Sequence, residues 1–169
     1  VYEVMRVEDA VTDAAGLSDT AHFALPVVVL PLVILTSSLN AVAQDFPCDV
    51  RLASSHAKLG LPFAKLGLLP GLGSTHLLPR LVGRARALEL VLSARVIPAV
   101  EAAEIGLVSR VVAHDDLLTE ARSLAAEMAQ SRPEVLAAAK AALRYGEEHG
   151  MAEAMAREQA LSAELRGRR

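Results

Sequence analysis

Between Leu59 and Pro79 seven glycines and prolines punctuate the chain: Gly60, Pro62, Gly67, Pro70, Gly71, Gly73 and Pro79. That spacing limits what the segment can become. Proline lacks a backbone N–H, and glycine loses more backbone entropy on ordering than any other residue, so one long helix is excluded. The pattern predicts short elements joined by tight turns. Just upstream, Cys48–Ala53 (CDVRLA) is a short strand candidate.

Helical spacing takes over after Pro79. In Arg84–Ser93, Ala87, Leu88, Val91 and Leu92 recur on one face. Val100–Glu104 is a helical turn closed by Gly106, and Leu107–Val112 (LVSRVV) reads as a strand. Three helices follow. Asp115 or Asp116 caps the first, which gathers Leu117, Leu118, Ala121, Leu124, Ala125 and Met128 on one side. Ser131-Arg132-Pro133-Glu134 has the form of a capping box for the second. Its apolar face is Val135, Leu136, Ala139 and Leu143, with Gly146 as its stop. The third, Met151–Leu165, has a weaker stripe of Ala154, Met155, Leu161 and Leu165, a face suited to a partner subunit. Arg166-Gly167-Arg168-Arg169 reads as a solvated basic terminus.

Composition excludes several functions. Hydrophobic residues make up 53% of the 169, aromatics only 3%, and tryptophan is absent, so the core is aliphatic. A net charge of -3 with interspersed signs argues against a nucleic-acid partner. A single cysteine, Cys48, rules out an intrachain disulfide and reads as a small core residue. The five histidines, His22, His56, His76, His114 and His149, show no metal-ligand spacing, so no metal is expected.

The first third differs in character. Residues 1–22 are acidic and aperiodic, and the unbroken apolar run Phe23–Leu35 (FALPVVVLPLVIL) follows. A membrane-spanning helix needs ~20 apolar residues. This run has 13, with Pro26 and Pro31 inside it. Ala41-Val42-Ala43 supplies a small-x-small cleavage pattern, but the acidic flank argues against a secretory leader. A buried strand is the expectation, with a cytoplasmic location and no membrane partner. The chain starts with Val rather than Met, which suits a fragment, a processed product or an unusual start.

From Cys48-Asp49-Val50-Arg51-Leu52-Ala53-Ser54 onward the chain resembles the enoyl-CoA hydratase/isomerase (crotonase) superfamily. The likeness continues through Ala57-Lys58-Leu59-Gly60-Leu61-Pro62 and Lys65-Leu66-Gly67-Leu68-Leu69-Pro70-Gly71-Leu72-Gly73-Ser74-Thr75. It then runs from Leu77-Leu78-Pro79-Arg80 to Val112. The resemblance covers about three-quarters of the chain, in its C-terminal part. It implies an α/β, crotonase-like spiral of β-β-α turns, N-terminally incomplete. Residues 1–46 would be an atypical segment, and 47–169 the crotonase-like part. A helical region over 115–165 would serve trimerisation. It also implies an acyl-CoA thioester as ligand, with coenzyme A as part of the substrate and no separate cofactor, and a setting in fatty acid metabolism. A homo-oligomer, trimer or dimer of trimers, is expected.

Chemistry in such proteins rests on an oxyanion hole, whose backbone donors are worth ~3–4 kcal/mol each in a dry site. By the resemblance, one donor turn falls on Leu39-Asn40-Ala41-Val42-Ala43-Gln44, with Asn40 where a glycine is expected. Hydratases of this kind pair two glutamates, one to activate water and one to protonate carbon. Those positions fall on Ala43 and, after Gly60-Leu61-Pro62, on Phe63. Neither moves a proton, so hydration by that route is not expected, and no catalytic residue is nominated. Asn40, Pro62, Phe63 and Gly71 are the expected substrate-binding residues.

His56, His76, Asp49 and Ser74 lie near these motifs, but nothing in the sequence pairs them into a base and its orienter, and structural roles are expected. Gly71-Leu72-Gly73 opens like a dinucleotide fingerprint, yet His76 stands where the third glycine belongs, and a turn is the better reading. Two accounts stay open. One is an acyl-CoA lyase or isomerase that works without the usual glutamates. The other is a non-catalytic or truncated assembly and binding module, with a boundary near Pro47 left by a frame change or deletion. A chain cut there would not be a well-behaved monomer.

Overall fold

The computed structural model describes residues 3–6 and 31–35 as backbone, and residues 49–71 and 73–167 in full. The chain divides into two compact units, residues 1–10 with 29–125, and residues 11–28 with 126–169.

The first unit is built on a four-stranded sheet. Strand β1 (Glu3–Arg6) runs antiparallel to β2 (Pro31–Leu35). β2 pairs in parallel with β3 (Val50–Ser54), and β3 with β6 (Arg110–Val112), giving the order β1-β2-β3-β6. The C-terminal end of the apolar run is therefore a strand, in register with β3 as Leu32↔Val50 to Leu35↔Ala53. A strand inside a parallel sheet has both faces covered. Accordingly Arg51, Leu52, Ala53 and Ser54 of β3 are all buried. Burying a guanidinium demands a partner. The Arg51 Nε donates to the Leu107 carbonyl at 2.7 Å.

The glycine- and proline-rich stretch breaks into short pieces, as its spacing predicts, except that Pro79 lies inside a helix, Ser74–Val82, rather than at a turn. β4 (Lys58–Gly60) pairs antiparallel with β5 (Val96–Pro98). A 3-10 helix covers Pro62–Leu66, and helices α1 (Ser74–Val82) and α2 (Arg84–Ser93) follow. Beyond β5 comes α3 (Ala99–Glu104), and after β6 a 3-10 turn (His114–Asp116) runs into α4 (Leu117–Ala129). The core joining these pieces is aliphatic, centred on Leu59, Leu61, Leu78, Leu90, Ile97 and Leu107. Each such side chain contributes roughly 1.5–3 kcal/mol by leaving water.

Strand β6 is shorter than the Leu107–Val112 expected. The N–H groups of Leu107 and Val108 both donate to the Ala102 carbonyl, at 2.8 and 3.2 Å. They wrap the end of α3 around Gly106, whose φ is 79°. The chain reaches β3 at Ser109, whose N–H donates to the Arg51 carbonyl at 2.7 Å, and the strand pairing begins at Arg110. Asp115 and Asp116 lie inside the 3-10 turn ahead of α4, and Leu117, Ala121 and Ala125 form the buried face of that helix.

The described part of the second unit holds α5 (Pro133–Glu148) and α6 (Met151–Gly167), which pack on each other. Two expectations about α5 are corrected. Arg132, not Ser131, is its N-cap, with ψ of 132° and no side-chain cap bond. The residue before a proline avoids the helical region, so Pro133 forces the boundary. Ser131 instead lies in the bend after α4, its N–H on the Met128 carbonyl at 3.1 Å. Nor does Gly146 stop α5. It lies within the helix, where an added Cβ would meet Ala154 of α6 at 3.9 Å. The stop is His149, in extended conformation, with its ring stacked on Tyr145. Gly150 then opens α6, its N–H donating to Glu153 Oε2 at 3.1 Å. Of the expected apolar face of α5, Leu136 is half-buried, whereas Leu143 is 73% exposed and Lys140 is buried. Among the described residues no helix is long and apolar enough to cross a membrane.

Candidate functional site

The candidate site is the stretch from Gly60 to Ser74. Gly60 is held at the end of β4 opposite Val96. Leu61, buried, anchors the turn in the core, and Pro62 opens the 3-10 helix, where its missing N–H costs nothing. Phe63 follows, half-buried, and packs its ring on the core cluster. At the other end Gly67 is left-handed, with φ of 68°. Its N–H donates to the Ala64 carbonyl at 3.2 Å, and the Leu68 N–H to the Phe63 carbonyl at 3.0 Å. These two bonds make a Schellman-type closure. The backbone at Phe63 is thereby fixed from both sides.

Gly71 lies in a separate, exposed turn. Its carbonyl accepts from the Ser74 N–H at 3.0 Å and from the Ser74 hydroxyl. Gly73, with φ of 75°, then leads into α1. Gly71 and Gly73 thus shape a turn between a 3-10 helix and α1, with no strand in front of them. The dinucleotide fingerprint fails on that context. Of the expected substrate-binding residues, Pro62 and Phe63 are neighbours and Gly71 sits on the loop beyond them. Asn40 and Ala43 lie outside the described residues, as does Cys48.

The residues weighed as substitute acids or bases have structural partners. The Ser74 hydroxyl is buried on Gly71. Arg80 Nη1 donates to His76 Nδ1 at 2.8 Å, one helical turn away. Among the described residues no three His, Cys, Asp or Glu side chains converge as a metal site.

The structure also forms a cluster that sequence reading missed. Ser54 Oγ lies 2.9 Å from His114 Nδ1 and accepts from the His56 N–H at 3.1 Å. The rings of His56 and His114 stack with centroids 5.0 Å apart. Sixty residues separate Ser54 from His114, and only the parallel pairing of β3 with β6 brings them together. Ser54 is fully buried, and its hydroxyl ties two loops.

The ionisation of Arg95 clearly shifts. Its pKa is raised above the ordinary guanidinium value, first by the hydrogen bond to Glu101, against an opposing desolvation effect. Its Nη1 lies 2.6 Å from Glu101 and its Nη2 3.0 Å from Glu89.

The fold defines a mixed α/β domain with a helical C-terminal region, of the crotonase type. A family profile described as enoyl-CoA hydratase/isomerase matches residues 44–167, and the chain belongs to that family. The 2,3-dehydroadipyl-CoA hydratase of Escherichia coli K12 is 43% identical over 114 residues, 68% of this chain and 45% of that protein. The mitochondrial methylglutaconyl-CoA hydratase of Rattus norvegicus is 40% identical over 154 residues, 89% of this chain and 48% of that protein. The second match covers more than residues 47–169 can supply, so it reaches upstream of Pro47. A structure from Thermobifida fusca YX, provisionally assigned as an enoyl-CoA hydratase and solved with acetoacetyl-CoA, superposes with a TM-score of 0.79. It is 30% identical and covers 82% of this chain and 55% of that one. The chain spans about half the length of the curated relatives it matches.

Proposed function

We propose that this chain binds an acyl-CoA thioester and is not a competent hydratase. Phe63 carries the reading. It follows Gly60-Leu61-Pro62, where the family resemblance places a proton-transferring glutamate, and its ring is half-buried on the apolar core. A phenyl ring there offers an apolar wall to an acyl chain and no proton to its carbon. Ala43, at the other glutamate position, likewise holds no proton. The ligand class is supported by the Thermobifida fusca structures, solved with acetoacetyl-CoA and with CoA. Pro62, Phe63 and Gly71, together with Asn40, are the residues proposed to meet it. Any catalysis that remains is acyl-CoA isomerase or lyase chemistry without the two carboxylates.

The test is calorimetric titration of the folded chain with a short enoyl-CoA, then assay of the same mixture for the hydrated product. Saturable binding without product is the expected result. Product at a hydratase-like rate overturns the claim of incompetence, and no binding by a folded chain overturns the ligand.

A second reading, a non-catalytic assembly module, has its own observation. Leu143 and Met151, on α5 and α6, are 73% and 81% exposed. Large apolar side chains left in water favour association. A homo-oligomer is therefore proposed, the family resemblance implying a trimer or dimer of trimers, and a single monomeric species in sedimentation would count against it.

A further inference from the structure

We propose that Arg95 is a positioning residue that sets the place of Pro62 and Phe63, 33 and 32 residues away, through the backbone of Gly60. Three observations converge on it. First, α2 ends at Ala94 in a left-handed conformation, φ 48° and ψ 34°, and Ala94 is the only non-glycine with positive φ among the described residues. Such a conformation is strained for any residue with a Cβ, and it persists only where its surroundings hold it.

Second, Arg95 supplies the hold. Its two terminal nitrogens reach Glu89 on α2 at 3.0 Å and Glu101 on α3 at 2.6 Å, and its own N–H donates to Ser93 Oγ at 3.3 Å. One guanidinium fork thus ties the helix before β5 to the helix after it. Its Nε is buried without a hydrogen-bond partner among the described residues. Burying that N–H unpaired is unfavourable, and the two ion pairs fix the side chain in spite of it.

Third, the same turn presses on the candidate site. A Cβ built on Gly60 would sit 2.9 Å from the Arg95 carbonyl oxygen and 3.2 Å from the Val96 Cα. Gly60 and Arg95 therefore meet backbone to backbone, and β4 runs from that contact through Leu61 into Pro62 and Phe63. The 3-10 helix bearing Phe63 also packs on α2, which carries Glu89. Two routes, one through β4 and one through α2, lead from the Arg95 fork to Phe63.

Only the ligand arm of the test rests on the acyl-CoA reading. The chain has three phenylalanines, Phe23, Phe46 and Phe63. Biosynthetic 4-fluorophenylalanine gives three fluorine signals, and Phe63→Leu identifies the one of interest. In Arg95→Ala the Phe63 signal moves or broadens. In Arg110→Ala, which breaks the separate pair with Glu120, it stays in place. Leu117→Ala, in the buried face of α4, lowers stability without touching the fork and also leaves the signal where it was. Arg95→Lys, with one ammonium for two carboxylates, keeps the charge and gives a smaller displacement, and it serves where Arg95→Ala does not fold. In the ligand arm, Arg95→Ala weakens binding of acetoacetyl-CoA by about fivefold. An unmoved Phe63 signal in a folded Arg95 variant overturns the proposal, and so does equal movement in Leu117→Ala. If the unaltered chain fails to bind acetoacetyl-CoA, the acyl-CoA reading fails alone and the fluorine signals still decide the role of Arg95.

Discussion

Replacing Gly60 by alanine probes the contact on which the candidate site is hung. Gly60 is an extended strand residue, so its backbone conformation accepts a side chain. Space is what forbids one. The new Cβ would lie 2.9 Å from the Arg95 carbonyl oxygen, 3.0 Å from Val96 Cγ2 and 3.2 Å from Val96 Cα. Comfortable contacts of this kind lie near ~3.5 Å, so β4 and β5 must part by about half an ångström. The Val96 methyl can rotate away, but the Arg95 carbonyl and Val96 Cα are backbone and can only shift with their strand. Overpacking of this sort costs about 1–3 kcal/mol. Alanine recovers roughly 0.4–1 kcal/mol by restricting the unfolded chain. The net expectation is a loss of about 1–2 kcal/mol, or a midpoint lowered by roughly 2–8 °C for a chain of this size. Urea and thermal unfolding measure it, and amide exchange at Leu59 and Ile97 locates the loss in the β4–β5 pair. A Gly60→Ala chain as stable as the parent would refute the close approach, and the positioning argument with it.

Ala94→Gly relieves the left-handed strain at the end of α2 and is expected to raise stability by roughly 1 kcal/mol, read as a higher urea midpoint. Ser54→Ala removes the acceptor of the His56 N–H and the partner of His114 Nδ1. A loss of about 1–3 kcal/mol follows, with faster amide exchange at His56, and an unchanged midpoint would show that water replaces the hydroxyl at no cost. Under the proposed function, Ala43→Glu with Phe63→Glu gains measurable enoyl-CoA hydration, while either substitution alone gains far less, because the two proton transfers need both carboxylates. Hydration by the parent at the rate of the double variant would end that account.

Local patterning made much of the first unit legible. The run RARALELVLS gave α2 with its observed bounds but not its face, since Ala87 and Leu90 are buried while Leu88 and Leu92 are exposed, and the glycines and prolines of 59–79 gave a series of short elements. These rest on backbone chemistry that each residue carries with it. Residue type alone misplaces the α5 boundaries at Ser131 and Gly146. Pro133 on one side, and the approach of α6 to Gly146 on the other, decided their roles.

The sequence by itself determined the family, strand β3, helix α2 and the three C-terminal helices, and it set Phe63 directly after the Gly60-Leu61-Pro62 turn. Only the tertiary structure decided which distant groups meet: Ser54 with His114 across the β3–β6 pair, and Arg95 with Glu89 and Glu101 around the end of α2. The physical reason is that secondary structure follows from local dihedral preference and apolar periodicity, which a short window contains. Contacts between strands and between helix ends depend on sheet order and on how two backbones approach, and no local window holds that information.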